Sequence, residues 1–515
     1  MGFEVSRVQN SKSKTANHYN SWWAHPLGQN DKRWRSMLEH QRINHFPGTF
    51  MLGRKDRLTR CLARFRRRVG KVGMDFYPRS YILPGGYGDF KADFAASKEI
   101  WIWKPQASAR GIGIKVVTKM DQVSKTKPGI VQAYLSSPLL IDGYKFDIRV
   151  YAVATSFNPL KLYIFSNGLV RFSTKRYCKV KRNSKDRSRF MHLTNYSVNK
   201  KSADFEARVD ADMEACTGSK WSLLALWKHL REVRGMTTAE VDKVWSDMKE
   251  VVSKTFISAE GHFNMQMGLL SLKRHNCFEI WGVDILLDAK LKPWLVEVNT
   301  CPDLSASSPL DRAIKGALFS DTFSLVGVPV CSHNPNRHEK VEKAMQGQQG
   351  PGGAARRGES AKGTRLKKPA PPPDKFEWYD DLTAADVTMM RESEDEFRRQ
   401  ESTRFQRLFP PVEPGAQDRL SALFETSRAS NRILLQWVRC RDNIPPRLQD
   451  LLDMKPAERE AARRGAPPRE RPDAQGTPDT LVRGGSHPQL LRSVSAAGVA
   501  GVSRGKDGEK GRSSS

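Results

Sequence analysis

Residues 277–299, CFEIWGVDILLDAKLKPWLVEVN, decide the reading of this chain. Two apolar runs, 278–287 and 293–299, flank the polar stretch 288–292, which predicts a β-hairpin. Asp284 lies six positions before Lys290 and Glu297 seven after it, so antiparallel pairing sets the two carboxylates roughly opposite each other. Asn299, two residues beyond Glu297, shares their face. Opposed carboxylates repel unless a cation sits between them. Asp, Glu and Asn oxygens are hard ligands, and Mg²⁺ commonly takes one or two carboxylates together with nucleotide phosphates. The alternative is a solvated polar face, against which the strongly apolar flanks argue.

Upstream, 99–104 (EIWIWK) and 112–118 (IGIKVVT) read as strands around the loop PQASARG. Further strands are predicted at 130–135, 146–155 and 161–165, the last leading through an Asn167-Gly168 turn into 169–173. Helical patterning covers 220–233 and 239–255. Strands mixed with helices indicate an α/β (α+β) core. In the loop, Gly111 and Gly113 permit close backbone approach to a phosphate, with Lys104 and Arg110 supplying charge, although no GK[ST] follows. Lys145, Asp147 and Arg149 alternate at period two and so point to one face of their strand. Phosphate and Mg²⁺ would satisfy three such groups, and so would an internal salt-bridge network. Thr194, Asn195 and Ser197 in HLTNYS are suited either to donating hydrogen bonds to a ligand or to building a turn.

The 515 residues include 86 Lys+Arg against 56 Asp+Glu, a net charge of +30. Residues 1–330 hold 53 basic and 30 acidic side chains, so the positive field belongs to the folded part rather than the tail. Such a field favours a polyanionic partner: nucleic acid, anionic membrane or an acidic protein surface. No apolar run approaches the length of a membrane span. Seven scattered cysteines argue against a disulfide framework or a structural zinc site and fit a reducing compartment. The start MGFEVS matches the short myristoylation pattern at Gly2, with the bulky Phe3 against it. Basic clusters at 54–71 and 171–189 suggest a docking surface for an electronegative partner. Composition divides the chain into a basic region (1–95), a core (96–330), a Pro/Gly-rich linker (331–375), a helically patterned extension (376–455) and a disordered tail (456–515).

Taken in order, HFPGTFMLGRKDRL, FYPRSYILP, WIWKPQASARGIGI, FMHLTNYSVNKK and the stretch from CFEIWGVD to DRAIKG resemble the tubulin–tyrosine ligase-like family, and within it the polyglutamylases. FEWYDDLTAADVTMMRESEDEFRR is similar to the helical extension of the type-4-like subgroup. The resemblance implies an ATP-grasp fold, with 1–95 a truncated N-terminal domain. It implies ATP-dependent ligation of free L-glutamate onto glutamate side chains of tubulin tails, through an acyl phosphate, by a cytoplasmic, cytoskeletal monomer, with cilium, flagellum or basal body as further locations. Carried over, Lys104, Arg110, Gly111, Lys145, Phe146, Asp147, Thr194 and Asn195 would hold ATP. Gln132, Ala133, Tyr134 and Leu135 would form the adenine hinge, and Asp284, Glu297 and Asn299 the Mg²⁺ site. Arg171, Ser197, Lys220 and Lys315 would hold the incoming glutamate. Arg110, Arg149 and Glu297 would be catalytic, Arg110 pointing to branch initiation where chain-elongating members carry Gln. Cys301 and Asp303 depart from the family pattern without removing a metal ligand.

The alternatives are a glycylase or tyrosine ligase of the same family, a microtubule-binding protein without activity, and nucleic-acid binding through the charge alone. For the last, no RNA-recognition, zinc-finger or leucine-zipper pattern is present in the sequence.

Overall fold

A computed structural model describes residues 19–106, 111–180, 189–206, 212–328 and 377–455. Two short strands, β1 (Ser21–Trp22) and β2 (Arg42–Ile43), pair in parallel near the start. β3 (Ser80–Leu83), β4 (Trp101–Pro105), β5 (Lys115–Val117) and β6 (Gly129–Ala133) then form a small antiparallel sheet in the order β3-β6-β4-β5. A seven-stranded antiparallel sheet follows, from β7 (Leu140–Ile141), β8 (Tyr144–Phe157), β9 (Leu160–Arg176), β10 (Lys220–Ser222), β11 (Glu279–Leu287), β12 (Pro293–Asn299) and β13 (Phe405–Phe409). Its path is β10-β9-β8-β11-β12, with β7 on β8 and β13 on the β9 edge.

The long hairpin β8–β9 is buried on both faces, which is why its residues read as a nearly continuous apolar run. Ile148, Val150, Ala152 and Ala154 share one apolar cluster with Phe256 and Phe263 of the helix Thr238–Leu269 and with Trp281 of β11. Tyr151 and Val153 point the other way, to Leu310, Ile314 and Leu318 of the helix Pro309–Val326. Thr237 and Glu240 form a capping box at the start of the long helix. That helix runs past 255, because Phe256, Ala259, Phe263 and Met267 keep the three-to-four residue spacing of its buried face.

Three sequence expectations are corrected. There is no turn at Asn167-Gly168: β9 is continuous there, and the chain reverses at Asn158-Pro159, between β8 and β9. Gly168 marks a register irregularity where strands approach closely, since a Cβ on it would lie 2.4 Å from the Arg149 carbonyl oxygen. The strand expected at 112–118 is confined to β5, residues 111–113 being turn with Gly111 and Gly113 both at φ +73°. Lys220 belongs to β10 rather than to a helix, because Ser222 caps the helix Leu223–Glu232 by accepting from the Ala225 amide.

The first basic cluster lies on the helical stretch Lys55–Gly73, which is broken by a kink at Gly70, with Leu58, Cys61, Leu62 and Phe65 inward and Arg60, Arg64 and Arg67 exposed. Of the second, Arg171–Arg176 is the end of β9 and residues 181–188 lie outside the described residues. The extension is helical at Ala384–Glu401, Pro414–Ser421, Ala429–Cys440 and Pro446–Asp453, but residues 405–409 form β13 and so join the central sheet. The linker at 331–375, the tail at 456–515 and Gly2 lie outside the described residues. Among the described residues no helix is long and apolar enough to cross a membrane.

Candidate active site

The register of the central sheet lines up charged side chains from four strands. Asp147 on β8 faces Arg171 on β9, Arg149 faces Asp284 on β11, and Asp284 faces Glu297 on β12. The Arg149 guanidinium grips Asp284 through Nε and, at 2.9 Å, through Nη2. Arg171 donates to both oxygens of Asp147, its Nε at 2.9 Å from Oδ1, and its Nη2 also lies 2.9 Å from Asp284 Oδ2. Asp284 is 1% exposed. Burial alone would raise its pKa, but the two guanidinium groups outweigh that and hold the carboxyl well below the usual carboxylate range. Asn299 Nδ2 is 3.4 Å from Asp284 Oδ2, and Glu297 Oε2 is 3.3 Å from Lys55 Nζ. The salt-bridge network that the alternation of 145, 147 and 149 allowed is therefore present for Asp147 and Arg149.

Lys145 and Lys104 behave differently. Lys145 Nζ donates to the Tyr134 hydroxyl and the His192 carbonyl, both at 3.1 Å, and sits 4.6 Å from the Tyr134 ring centroid. Lys104 Nζ donates to Gln132 Oε1 at 2.7 Å, and Gln132 in turn donates to Ser80 Oγ at 2.9 Å. Among the described residues neither amine has a salt bridge. Burial lowers both, Lys104 to about 8 and Lys145 to about 7, with Glu297 and Asp147 respectively opposing the shift. Two buried amines without a bonded carboxylate suit an anionic ligand that brings its own oxygens.

These residues meet in an open cleft between the two larger sheets, with an enclosed volume of about 90 Å³. Lys104, Gln132, Ala133, Tyr134, Leu135, Lys145, Asp147, Thr194, Asn195, Asp284 and Glu297 all line it. The amides of Ala133 and Tyr134 donate to the Arg79 and Ile100 carbonyls, so neither amide faces the cleft. Gly111 packs against Asn195: a Cβ there would lie 2.8 Å from Asn195 Oδ1. The segment 192–195 is held by Asn199, which donates to the Leu193 carbonyl at 2.7 Å and accepts from the Thr174 amide at 3.0 Å.

A second group lies beyond Arg171. Lys220 pairs with Arg171 in the β9–β10 register, and its Nζ is 2.8 Å from Asp311 Oδ2. Lys315 Nζ donates to the Ser305 carbonyl at 2.7 Å and lies 3.7 Å from Asp311 Oδ1. Burial would raise the fully buried Asp311, but Lys220 overrides it and lowers its pKa; burial lowers that of Lys315.

Phe146 is not brought to the cleft. Its side chain faces the opposite side of β8, in the apolar core 5.5 Å from the Phe172 ring, as period two requires beside Lys145 and Asp147. Arg110 and the Ser197 side chain lie outside the described residues. Sequence reasoning missed His192, Asp311 and Lys55. His192 stood inside the HLTNYS motif, Asp311 four residues before Lys315 on a helix, and Lys55 in a run read only for its charge. Among the described residues no group of three His, Cys, Asp or Glu side chains could by itself hold a metal ion. The donor set here is two carboxylates and an amide, which suits a hard cation shared with phosphate oxygens.

The model of the tubulin-tyrosine ligase family matches residues 33–337. The human tubulin monoglutamylase TTLL4 is 40% identical over 450 residues, covering 84% of this chain and 36% of its own length. The human tubulin polyglutamylase TTLL5 is 39% identical over 303 residues, 59% of this chain and 23% of its own. The Caenorhabditis elegans tubulin polyglutamylase ttll-4 is 37% identical over 315 residues, 61% of this chain and 50% of its own. The chain thus spans half or less of the length of these curated relatives.

Proposed function

The chain belongs to the tubulin-tyrosine ligase family, and on that premise we propose that it is an ATP-dependent carboxylate–amine ligase of the ATP-grasp type that attaches L-glutamate to glutamate side chains of tubulin tails. The observation that carries this reading is the cleft between the sheets. There two buried lysines that have no carboxylate partner among the described residues, Lys104 and Lys145, face the paired carboxylates Asp284 and Glu297. The names of the relatives, mono- and polyglutamylases of tubulin, direct the choice of substrate.

Asp284, Glu297 and Asn299 would hold Mg²⁺, which when bound neutralises phosphate charge and polarises the phosphoryl group being transferred. Lys104 and Lys145 bind phosphate oxygens, and the proximity of those anions favours their protonated forms. Arg149, already oriented by Asp284, adds positive charge where the phosphoryl group moves. Arg171, Lys220 and Lys315 supply cations for the two carboxylates of free glutamate, with Asp311 fixing the two lysines. A carboxylate oxygen of the acceptor side chain takes the γ-phosphoryl group and ADP leaves. The amine of free glutamate, having lost a proton, then attacks the acyl carbon; the C–O bond to phosphate breaks and an amide forms. The formal charge of +30 steers such an enzyme to glutamate-rich tails, and salt weakens the encounter. Such a substrate places the protein on the cytoskeleton.

Incubation with microtubules, ATP and Mg²⁺ and, in separate reactions, labelled glutamate, glycine or tyrosine tests the proposal. Glutamate alone should be incorporated, and only with ATP. Incorporation of glycine or tyrosine instead would replace this reading with another activity of the family. Incorporation of none would refute it.

A further inference from the structure

The helix Pro309–Val326 is held at its two ends by different parts of the chain. Its first two turns carry Asp311 and Lys315, which stand with Lys220 in the corner assigned above to the incoming amino acid. Its last two turns are gripped by Arg399 and Arg404, outside the matched family domain, and also by Arg42, which donates to the Val326 carbonyl at 2.9 Å, with the Trp23 and Phe278 rings against Phe319 and Phe323. The Asp321 carboxylate accepts from the Arg404 amide at 2.8 Å and from the Arg404 guanidinium at 3.1 and 3.2 Å. The Leu325 carbonyl accepts from Arg399 Nε at 3.1 Å. The same guanidinium covers Gly327, where a Cβ would lie 2.5 Å from Nε. Cations suit this end of a helix, where the unpaired carbonyls concentrate negative charge. Phe405 is buried in the same apolar cluster as Leu310, Ile314, Leu318 and Leu325 of this helix.

The segment that carries Arg399 and Arg404 is itself fastened to the central sheet. β13 pairs with β9, and Glu396 accepts from Lys161 and Tyr163, both at 2.6 Å. We infer that Arg399, Arg404 and Phe405 are positioning residues that brace the amino-acid corner by fixing where the helix Pro309–Val326 sits along its axis. A hydrogen-bonded helix transmits axial displacement as a rod, and Asp321 is six residues, about 9 Å, from Lys315. A shift at one end therefore moves the ammonium group at the other. None of the three bracing residues lines the nucleotide cleft, so the brace acts on the amino acid and not on ATP.

The inference rests on the ligase reading and on the assignment of Lys315 to the amino acid, so the experiment contains an arm for each. In the full chain, KM for glutamate, KM for ATP and kcat are measured for Lys315→Met, Asp321→Asn, Arg399→Ala/Arg404→Ala and Arg404→Lys. The expected result is a rise of about 10-fold in KM for glutamate in Asp321→Asn and the double arginine variant, short of the ~100-fold that a 1 Å misplacement can cost. KM for ATP should stay within about twofold, and Arg404→Lys should recover most of the loss. Hydrogen exchange should quicken in the first turns of the helix and not in β8, which separates displacement from unfolding. If Lys315→Met raises KM for glutamate while the brace variants do not, the brace is overturned and the ligase reading stands. If Lys315→Met leaves that KM unchanged, the assignment of the corner fails and the brace falls with it. Equal rises in both KM values would also overturn the brace, since they would mark a general structural role.

Discussion

Removing the Glu396 carboxylate should destabilise the entire folded body, although it lies well outside the matched family domain. Glu396, 4% exposed, accepts from the Thr155 hydroxyl at 2.5 Å, the Tyr163 hydroxyl at 2.6 Å and the Lys161 ammonium at 2.6 Å. Burial alone would raise its pKa, but Lys161 overrides it and lowers it. In Glu396→Ala, Lys161 is left 7% exposed without its counter-charge, and two hydroxyls lose their acceptor. Breaking a buried ion pair from one side costs about 3–5 kcal/mol. The double variant Lys161→Met/Glu396→Leu removes both charges and should recover most of that, because apolar replacement of a buried pair is often near neutral. Urea unfolding followed by tryptophan fluorescence reads both. The single variant should show one cooperative transition at a lower midpoint, with the double variant close to wild type. If Glu396→Ala instead gave a small early transition and an unchanged main one, the extension would be an appendage. The account of β13 and Glu396 as parts of the central sheet would then be wrong.

Other predictions address the core and the site. His45 Nδ1 lies 2.9 Å from Glu279 Oε1; burial lowers the imidazole, but Glu279 outweighs it and the pKa is pushed up to about 10. A folded pKa above the unfolded value of about 6.5 means the contribution is fully present below pH 6.5 and lost as pH rises toward 10. The urea midpoint should fall across that window, and His45→Gln should flatten the dependence. Gly168→Ala would drive a methyl group into the Arg149 carbonyl oxygen and spread β8 from β9. A cost of about 1–3 kcal/mol is expected, together with a loss of turnover through Arg149 that exceeds the loss of folded protein. Arg110→Gln should shift the products from single-glutamate branches toward longer chains in mass spectra of modified tubulin; an unchanged ratio would end the initiation reading.

The site was legible where side-chain chemistry and strand period agree. The five-residue loop 288–292 sets a register in which counting alone would pair Asp284 with Val296; a bulge between Asp284 and Ile285 shifts it by one residue and brings Glu297 opposite Asp284, so the rough pairing was legible and the bulge was not. Period two placed Lys145, Asp147 and Arg149 together, and the same rule should have withheld Phe146. What period cannot reveal is which of several charges a given charge meets. Arg171 is tied to Asp147 and Asp284 through strand order, a tertiary property. The Asn167-Gly168 pair looks like a turn locally, but Asn167 Oδ1 accepts from the Leu223 amide and the strand continues. In the extension, Phe405 and Leu408 fit helical spacing as well as a short strand, and only the free edge of β9 decides between them.

The central claim is tested most directly by intact mass analysis of tubulin tails after incubation with the protein, ATP, Mg²⁺ and glutamate, beside a Glu297→Gln control. The account predicts mass increments of one glutamyl residue on tail glutamates with wild type, and a decrease of about 10²–10³-fold in rate with the control. Glu297→Gln should still fold, since the Glu297 carboxylate pairs with Lys55 at a partly exposed position. Tails left unmodified by folded wild-type protein, or modified equally by the control, would contradict it.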